Sequence, residues 1–127
     1  MTYTDFKPTM FTADVADIGE GATYTTDSAA IDVSGLEWAT VQCYTTGANA
    51  SSAGTVTFYL SMSGDGTNYS SVGMPLYLTL AGAAKVVTEP IEISLRGINK
   101  LKIINIVNGD ATYHLTNTNV IVSCVKR

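Results

Sequence analysis

Gly54-Thr55-Val56-Thr57-Phe58-Tyr59-Leu60-Ser61-Met62-Ser63-Gly64-Asp65-Gly66-Thr67-Asn68-Tyr69-Ser70-Ser71-Val72 is the stretch on which the fold turns. Val56, Phe58, Leu60 and Met62 alternate with Thr57, Tyr59, Ser61 and Ser63. A period of two places one set on a buried face and the other on a polar face, which is a strand half covered by its core. Ser63 to Asn68 then supplies Gly, Asp and Asn, residues that tolerate the positive φ of a sharp turn. Asp65-Gly66 is the expected centre of a two-residue reversal, because a primed turn matches the twist of its flanking strands. An antiparallel hairpin over 54–72 is the expectation, and it identifies no chemical reaction.

Working outward, the same alternation recurs. Glu37 to Thr45 sets Ala39, Val41 and Cys43 against Trp38, Thr40, Gln42 and Tyr44, with the small apolar set facing inward and Trp38 placed to cap one end of the core. Pairing this strand with 54–63 is the simplest local topology. Pro75 to Leu80 alternates Leu76, Leu78 and Leu80 with Tyr77 and Thr79, and a proline suits the start of a strand. Ile91, Ile93 and Leu95 alternate after Pro90, and Leu101 to Val107 is apolar enough for a central strand. Asn108-Gly109-Asp110 predicts a second hairpin, ahead of strands at 112–115 and 119–125 in which Val120, Val122 and Cys124 share a face. Shorter strands are expected at 23–26, 30–33 and 69–72.

About seven to nine short strands with turn signals between them, and no long helical period, predict an all-β fold: an antiparallel β-sandwich with jelly-roll or Greek-key connections. Residues 1–28 are irregular and are expected to form an N-terminal arm or edge element, with the sandwich domain over 29–127. Within that arm, Phe6, Met10 and Phe11 are the candidate assembly contacts.

Composition narrows the function. The 127 residues are 46% hydrophobic and only 14% charged, against roughly 25% charged in an average soluble domain. A surface rich in Thr, Ser, Ala and Gly favours protein neighbours or neutral ligands. A net charge of -4 argues against nucleic acid, and Lys100, Lys102, Lys126 and Arg127 read as protection of strand edges rather than as a phosphate track. Met1 to Ala13 carries Asp5, Lys7 and Pro8 and does not read as a signal peptide. No run reaches the roughly 18 apolar residues of a membrane-spanning helix. Cys43 and Cys124 sit in apolar runs and read as buried free thiols, with a disulfide between packed strands as the alternative.

Candidate sites are few. Tyr44, Tyr59 and Tyr77 fall on outward positions of three strands, and on one sheet they would form a platform for a partner protein or for the face of a sugar. Ser63, Asp65 and Asn68 have oxygen donors but lack the ordered spacing of a calcium loop, so a turn is expected. Asp14, Asp17 and Glu20 would meet only on a helix that Gly19 and Gly21 oppose. His114 is the sole histidine and has no evident base or nucleophile partner. No phosphate loop or dinucleotide fingerprint is present. No enzyme is expected, and no cofactor, metal or catalytic residue is assigned. Asn49-Ala50-Ser51 and Asn68-Tyr69-Ser70 match glycosylation acceptors, and are expected to be chance matches because 1–13 does not read as a secretion signal.

The pattern resembles small bacteriophage virion β-sandwich proteins, the head-decoration and minor capsid proteins. The residues that carry it are Asp32-Val33-Ser34-Gly35-Leu36-Glu37-Trp38-Ala39-Thr40-Val41 and Ser61-Met62-Ser63-Gly64-Asp65-Gly66-Thr67-Asn68-Tyr69. Arg96-Gly97-Ile98-Asn99-Lys100-Leu101-Lys102-Ile103 and Asn108-Gly109-Asp110-Ala111 complete it. The resemblance implies a noncatalytic structural role in a virion, with assembly in the host cytoplasm. It implies a homo-oligomer, by analogy with capsids a trimer, that contacts capsid or tail proteins and not membrane. The rival expectation is a carbohydrate-binding β-sandwich module that uses the tyrosines.

Overall fold

The computed structural model describes residues 4–6, 9–12, 18–25 and 30–126, of which 4–6, 9–12 and 125–126 by their backbone alone. The described residues form eleven strands and no helix. In chain order they are β1 (Thr4–Phe6), β2 (Thr9–Thr12), β3 (Thr23–Thr25), β4 (Ile31–Asp32), β5 (Trp38–Gly47), β6 (Thr55–Ser63), β7 (Met74–Thr79), β8 (Lys85–Val87), β9 (Ile91–Ser94), β10 (Lys100–Asn108) and β11 (Leu115–Lys126).

Every ladder is antiparallel, and the ladders make two sheets. In the first, β11 and β5 are the central pair, with β1 and β2 along the far side of β11 and β8 and β9 along the far side of β5. In the second, β10 and β6 are central, flanked by β3 and β4 on one side and by β7 on the other. The inward faces share one core. Ala39, Val41, Cys43, Val120, Val122 and Cys124 come from the first sheet, and Val56, Phe58, Leu60, Leu76, Leu101, Ile103 and Ile106 from the second. Two antiparallel sheets around one core make an all-β fold consistent with a β-sandwich. A fully buried Leu, Ile or Phe contributes about 1.5–3 kcal/mol, so this layer dominates the stability.

The periods of two hold along β5 and β7 and from Val56 to Leu60 of β6, but Ser61 and Ser63 are buried where Met62 is half-buried, and the connections differ from expectation. β5 and β6 do not pair: they lie in different sheets, so residues 48–54 form an arch across the core. Ser52 is buried there, and its Oγ accepts from Asn49 N at 3.2 Å. β6 and β7 do form a hairpin, with Thr55 opposite Thr79 and Leu60 opposite Met74. Its reversal is the segment 64–73 rather than a two-residue turn, so 69–72 is not a strand. That segment is held against β6 by Ser70 N donating to Met62 O at 3.2 Å and by Ser61 Oγ donating to Ser70 O at 2.7 Å. Gly73, at φ 81°, brings the chain back, and a Cβ there would press on Leu60 O at 3.1 Å.

Asn108-Gly109-Asp110 is not a hairpin either. β10 belongs to the second sheet and β11 to the first, so this turn is a corner between sheets. The Asn108 side chain is fully buried in it. Nδ2 donates to Tyr113 O at 2.9 Å, Gly19 O at 3.1 Å and Ile18 O at 3.3 Å, while Oδ1 accepts from Asp110 N at 2.9 Å. The Asp110 carboxylate accepts from Ala53 N, Thr112 N and Tyr113 N. One Asn and one Asp thus fasten the arch, the corner and the approach to β3, where a hairpin would have used the same residues only for their backbone freedom.

Split edges have local causes. Between β8 and β9 the line is broken at Thr88, Glu89 and Pro90, yet Thr88 N donates to Cys43 O at 2.8 Å and Thr88 Oγ1 accepts from Cys43 N at 2.9 Å. In β11 the register slips between Thr116 and Asn119, with Asn117 at φ 46°. The extra residue turns Thr118 inward, where its hydroxyl lies 2.7 Å from that of Thr45, both fully buried.

Candidate functional site

The three tyrosines do not share a sheet. Tyr44 stands on β5 of the first sheet, whereas Tyr59 on β6 and Tyr77 on β7 belong to the second. The outer faces of the two sheets point away from each other, so a single platform of three rings does not form. Tyr59 and Tyr77 do share a face: Tyr77 lies opposite Thr57 and Tyr59 opposite Pro75, a diagonal arrangement within reach of aromatic side chains. Tyr77 is 62% exposed, and Tyr59 is half-buried. On the same outer face Lys102 Nζ sits 4.2 Å from the centre of the Tyr69 ring, a cation–π contact that pins 64–73 to β10.

Tyr44 has its own surroundings. A shallow hollow of about 430 Å³ is lined by Tyr44, Thr46, Ala83, Lys85, Asn117 and Asn119. Lys85 Nζ lies 4.0 Å from the centre of the Tyr44 ring. Three elements build the hollow: β5 supplies the ring, β8 the cation and the bulge of β11 the two amides. Beside it, Val87 lies opposite Tyr44 and Ile121 opposite Gln42, at 45% and 38% exposure. The outer face of the first sheet therefore mixes an aromatic ring, aliphatic side chains, amides and hydroxyls with little charge. The spacing of β5 made Tyr44 legible as an outward residue. Nothing in the sequence joined it to Lys85, Asn117 or Asn119, because those neighbours depend on strand order.

A second hollow of about 310 Å³ lies where the turns 34–37 and 95–99 meet Gly64. Asp32 Oδ1 accepts from Ser34 N at 3.0 Å and from Ser34 Oγ at 2.6 Å, which holds its carboxyl below the usual carboxylate range.

The remaining sequence candidates resolve into structure. Asp65 closes its own turn: Oδ1 accepts from Asn68 N at 2.7 Å, Thr67 N at 2.8 Å and Ser63 Oγ at 2.9 Å, and Oδ2 accepts from Asn68 Nδ2 at 2.7 Å. Those donors, with Asn68 the largest contributor, hold its carboxyl far below the ordinary value and spend the lone pairs that a cation would need. Among the described residues no three His, Cys, Asp or Glu side chains gather as metal ligands. Glu20 is exposed in a turn, and Asp14 and Asp17 lie outside the described residues.

Cys43 and Cys124 are free and buried. Cys43 pairs with Val120 and Cys124 with Ala39, so they stand four ladder positions apart, about 13 Å at strand rise, too far for a disulfide. Burial pushes the Cys43 thiol up to about 12 and also raises Cys124. His114 is half-buried, and its carbonyl accepts from Ala48 N at 3.2 Å.

The arm residues fall on edge strands of the same chain. Phe6 lies in β1 opposite Cys124, and Met10 and Phe11 lie in β2, Phe11 opposite Val120. No helix of the described residues is long and apolar enough to cross a membrane. The chain matches no family model, no curated protein and no solved structure.

Proposed function

We propose that this protein is a noncatalytic structural component of a virion, a capsid-decorating or capsid-stabilising subunit that works through protein–protein contacts and assembles in the host cytoplasm. The strand order carries the reading. Taking β1 with β2, β3 with β4 and β8 with β9 as single interrupted lines reduces eleven strands to eight. In one sheet they run first, eighth, third, sixth, and in the other second, seventh, fourth, fifth. We read that order as a jelly roll, an architecture used by viral capsid domains and also by lectins. The low charge of the outer faces suits close packing against neighbours, where repeated modest contacts give avidity.

The test mixes untagged protein with shells formed from the major capsid protein encoded in the same genome. Saturable co-sedimentation, at a stoichiometry set by the shell, is the expected result. Failure to bind any structural protein of that genome would refute the proposal.

The hollow at Tyr44 favours a second reading, a carbohydrate-binding module. An aromatic ring beside two amides, a hydroxyl and an ammonium group offers both stacking and hydrogen bonds to a sugar. Saturable glycan binding that is lost in Tyr44→Ala places the ligand there, loss in Tyr59→Ala and Tyr77→Ala places it on the second sheet, and no binding to any glycan removes this reading.

A further inference from the structure

Sheet edges carry unpaired backbone groups, and among the described residues the edge of β8 and β9 is cut short at Thr88, Glu89 and Pro90, leaving strands of three and four residues. Breaking an edge in this way is a common protection against strand addition. β7 is different: Met74-Pro75-Leu76-Tyr77-Leu78-Thr79 runs unbroken for six residues, carries no charge and, among the described residues, pairs only with β6.

The direction of each backbone group on β7 follows from its ladder. Leu80 N donates to Gly54 O at 2.9 Å, and Thr55 to Leu60 pair with Thr79 to Met74 without a slip. Alternate residues of an antiparallel strand turn N–H and C=O to the same side. Met74, Leu76 and Leu78 therefore bond to β6, while Pro75, Tyr77 and Thr79 present their backbone outward. Pro75 fits this parity, since its missing N–H is on the open side. No described residue donates to or accepts from these outward groups.

We infer that β7 pairs antiparallel with β7 of a second copy of this chain, about a two-fold axis through Tyr77. The register is self-complementary. Tyr77 faces its counterpart, and each N–H donates to the other carbonyl. Thr79 N–H of each copy reaches the Pro75 carbonyl of the other, so the two missing donors, one Pro75 from each copy, fall at the two ends of the ladder. No like charges are opposed across the seam. The two exposed Tyr77 rings stand side by side on the outer face, and the five-stranded sheets of two copies become continuous. This contact is independent of the virion reading, and being two-fold it makes dimers; the trimer implied by capsid analogy would need a different contact.

Light scattering of the untagged protein across a concentration series tests it, together with amide exchange. The expected mass at high concentration is twice the chain mass of 13.4 kDa, with slow exchange at the Tyr77 and Thr79 amides. Tyr77→Pro removes an outward N–H and none of the N–H groups that bond to β6, and is expected to give monomers. Tyr77→Thr keeps that N–H and is expected to remain dimeric. A monomer up to the solubility limit, a trimer, or a dimer unchanged by Tyr77→Pro overturns the inference. Should Tyr77→Pro not fold, rapid exchange of the two amides in the wild-type protein at high concentration overturns it equally.

Discussion

Replacing Asn108 with Ala removes a fully buried side chain that joins three parts of the chain. Ile18 O and Gly19 O each keep a backbone donor, Leu115 N at 3.0 Å and Ala22 N at 3.1 Å. Tyr113 O and Asp110 N give up the partners that Asn108 supplies at 2.9 Å each. Two hydrogen bonds at about 1 kcal/mol each, with the added cost of a buried group left unmet, come to about 3 kcal/mol. An unfolding entropy of about 2.1 cal/mol/K per residue makes that a fall in Tm of about 11 °C for a chain of 127 residues. Thermal unfolding followed by circular dichroism, with urea unfolding as the check, measures both quantities. A fall of less than about 3 °C refutes the reasoning, because that is below the cost of one lost bond. Asn108→Asp separates shape from donation: it keeps the volume and the acceptor for Asp110 N but aims a carboxylate oxygen at three carbonyls, so at neutral pH it is expected to destabilise at least as much as Asn108→Ala.

Gly109→Ala sets a Cβ against the Thr55 carbonyl, a backbone contact that cannot move freely; overpacking of this kind costs about 1–3 kcal/mol, read as a lower urea midpoint. Hydrogen bonds depress the carboxyls of Asp32, Asp65 and Asp110 below the ordinary 3.8. Their stabilisation is complete above that value and is lost as pH falls through the folded-state pKa values. Tm is therefore expected to stay level from neutral pH to about pH 5 and to drop below about pH 4, and a Tm that rises there contradicts the assignment. Cys43, fully buried and with its thiol pushed up to about 12, is expected to resist alkylation at pH 8 until the protein unfolds. Native-state labelling at the rate of a free thiol would show that the core opens.

What the chain makes legible is which side of a strand is buried. Ala39, Val41 and Cys43, then Val56, Phe58 and Leu60, then Leu76 and Leu78 all face the core as their spacing requires. Periodicity names a face and not a neighbour, so it could not separate β5 from β6 or Tyr44 from Tyr59 and Tyr77. Turn chemistry is ambiguous in the same way. Asp65-Gly66 does turn, with Gly66 at φ 80° and its N–H on Ser63 Oγ at 2.9 Å, but the reversal takes the whole of 64–73. Asn108-Gly109-Asp110 bends the chain between sheets because its side chains find carbonyls and amides from 18–19, 53 and 112–113. Ser61 and Ser63 break the apolar/polar code, buried although polar, because 64–73 covers Ser61 and the turn engages Ser63 Oγ. The hollow at Tyr44 depended on a bulge at 116–119 that no sequence signal marked.

The most C-terminal of the described strands is the one the first sheet is built around. β11 holds β1 and β2 on one side and β5 on the other, down to Thr4 opposite Lys126. On the ribosome, β1 and β2 have no ladder to join until β11 emerges, and β5 has one bare side. β10, the next to last, is likewise the strand that β3, β4 and β6 wait for. Such long-range closure is slow, on the order of milliseconds to seconds, and leaves apolar strands exposed meanwhile. The first sheet therefore cannot close until β11 is available, and β1, β2 and β5 keep open edges until then.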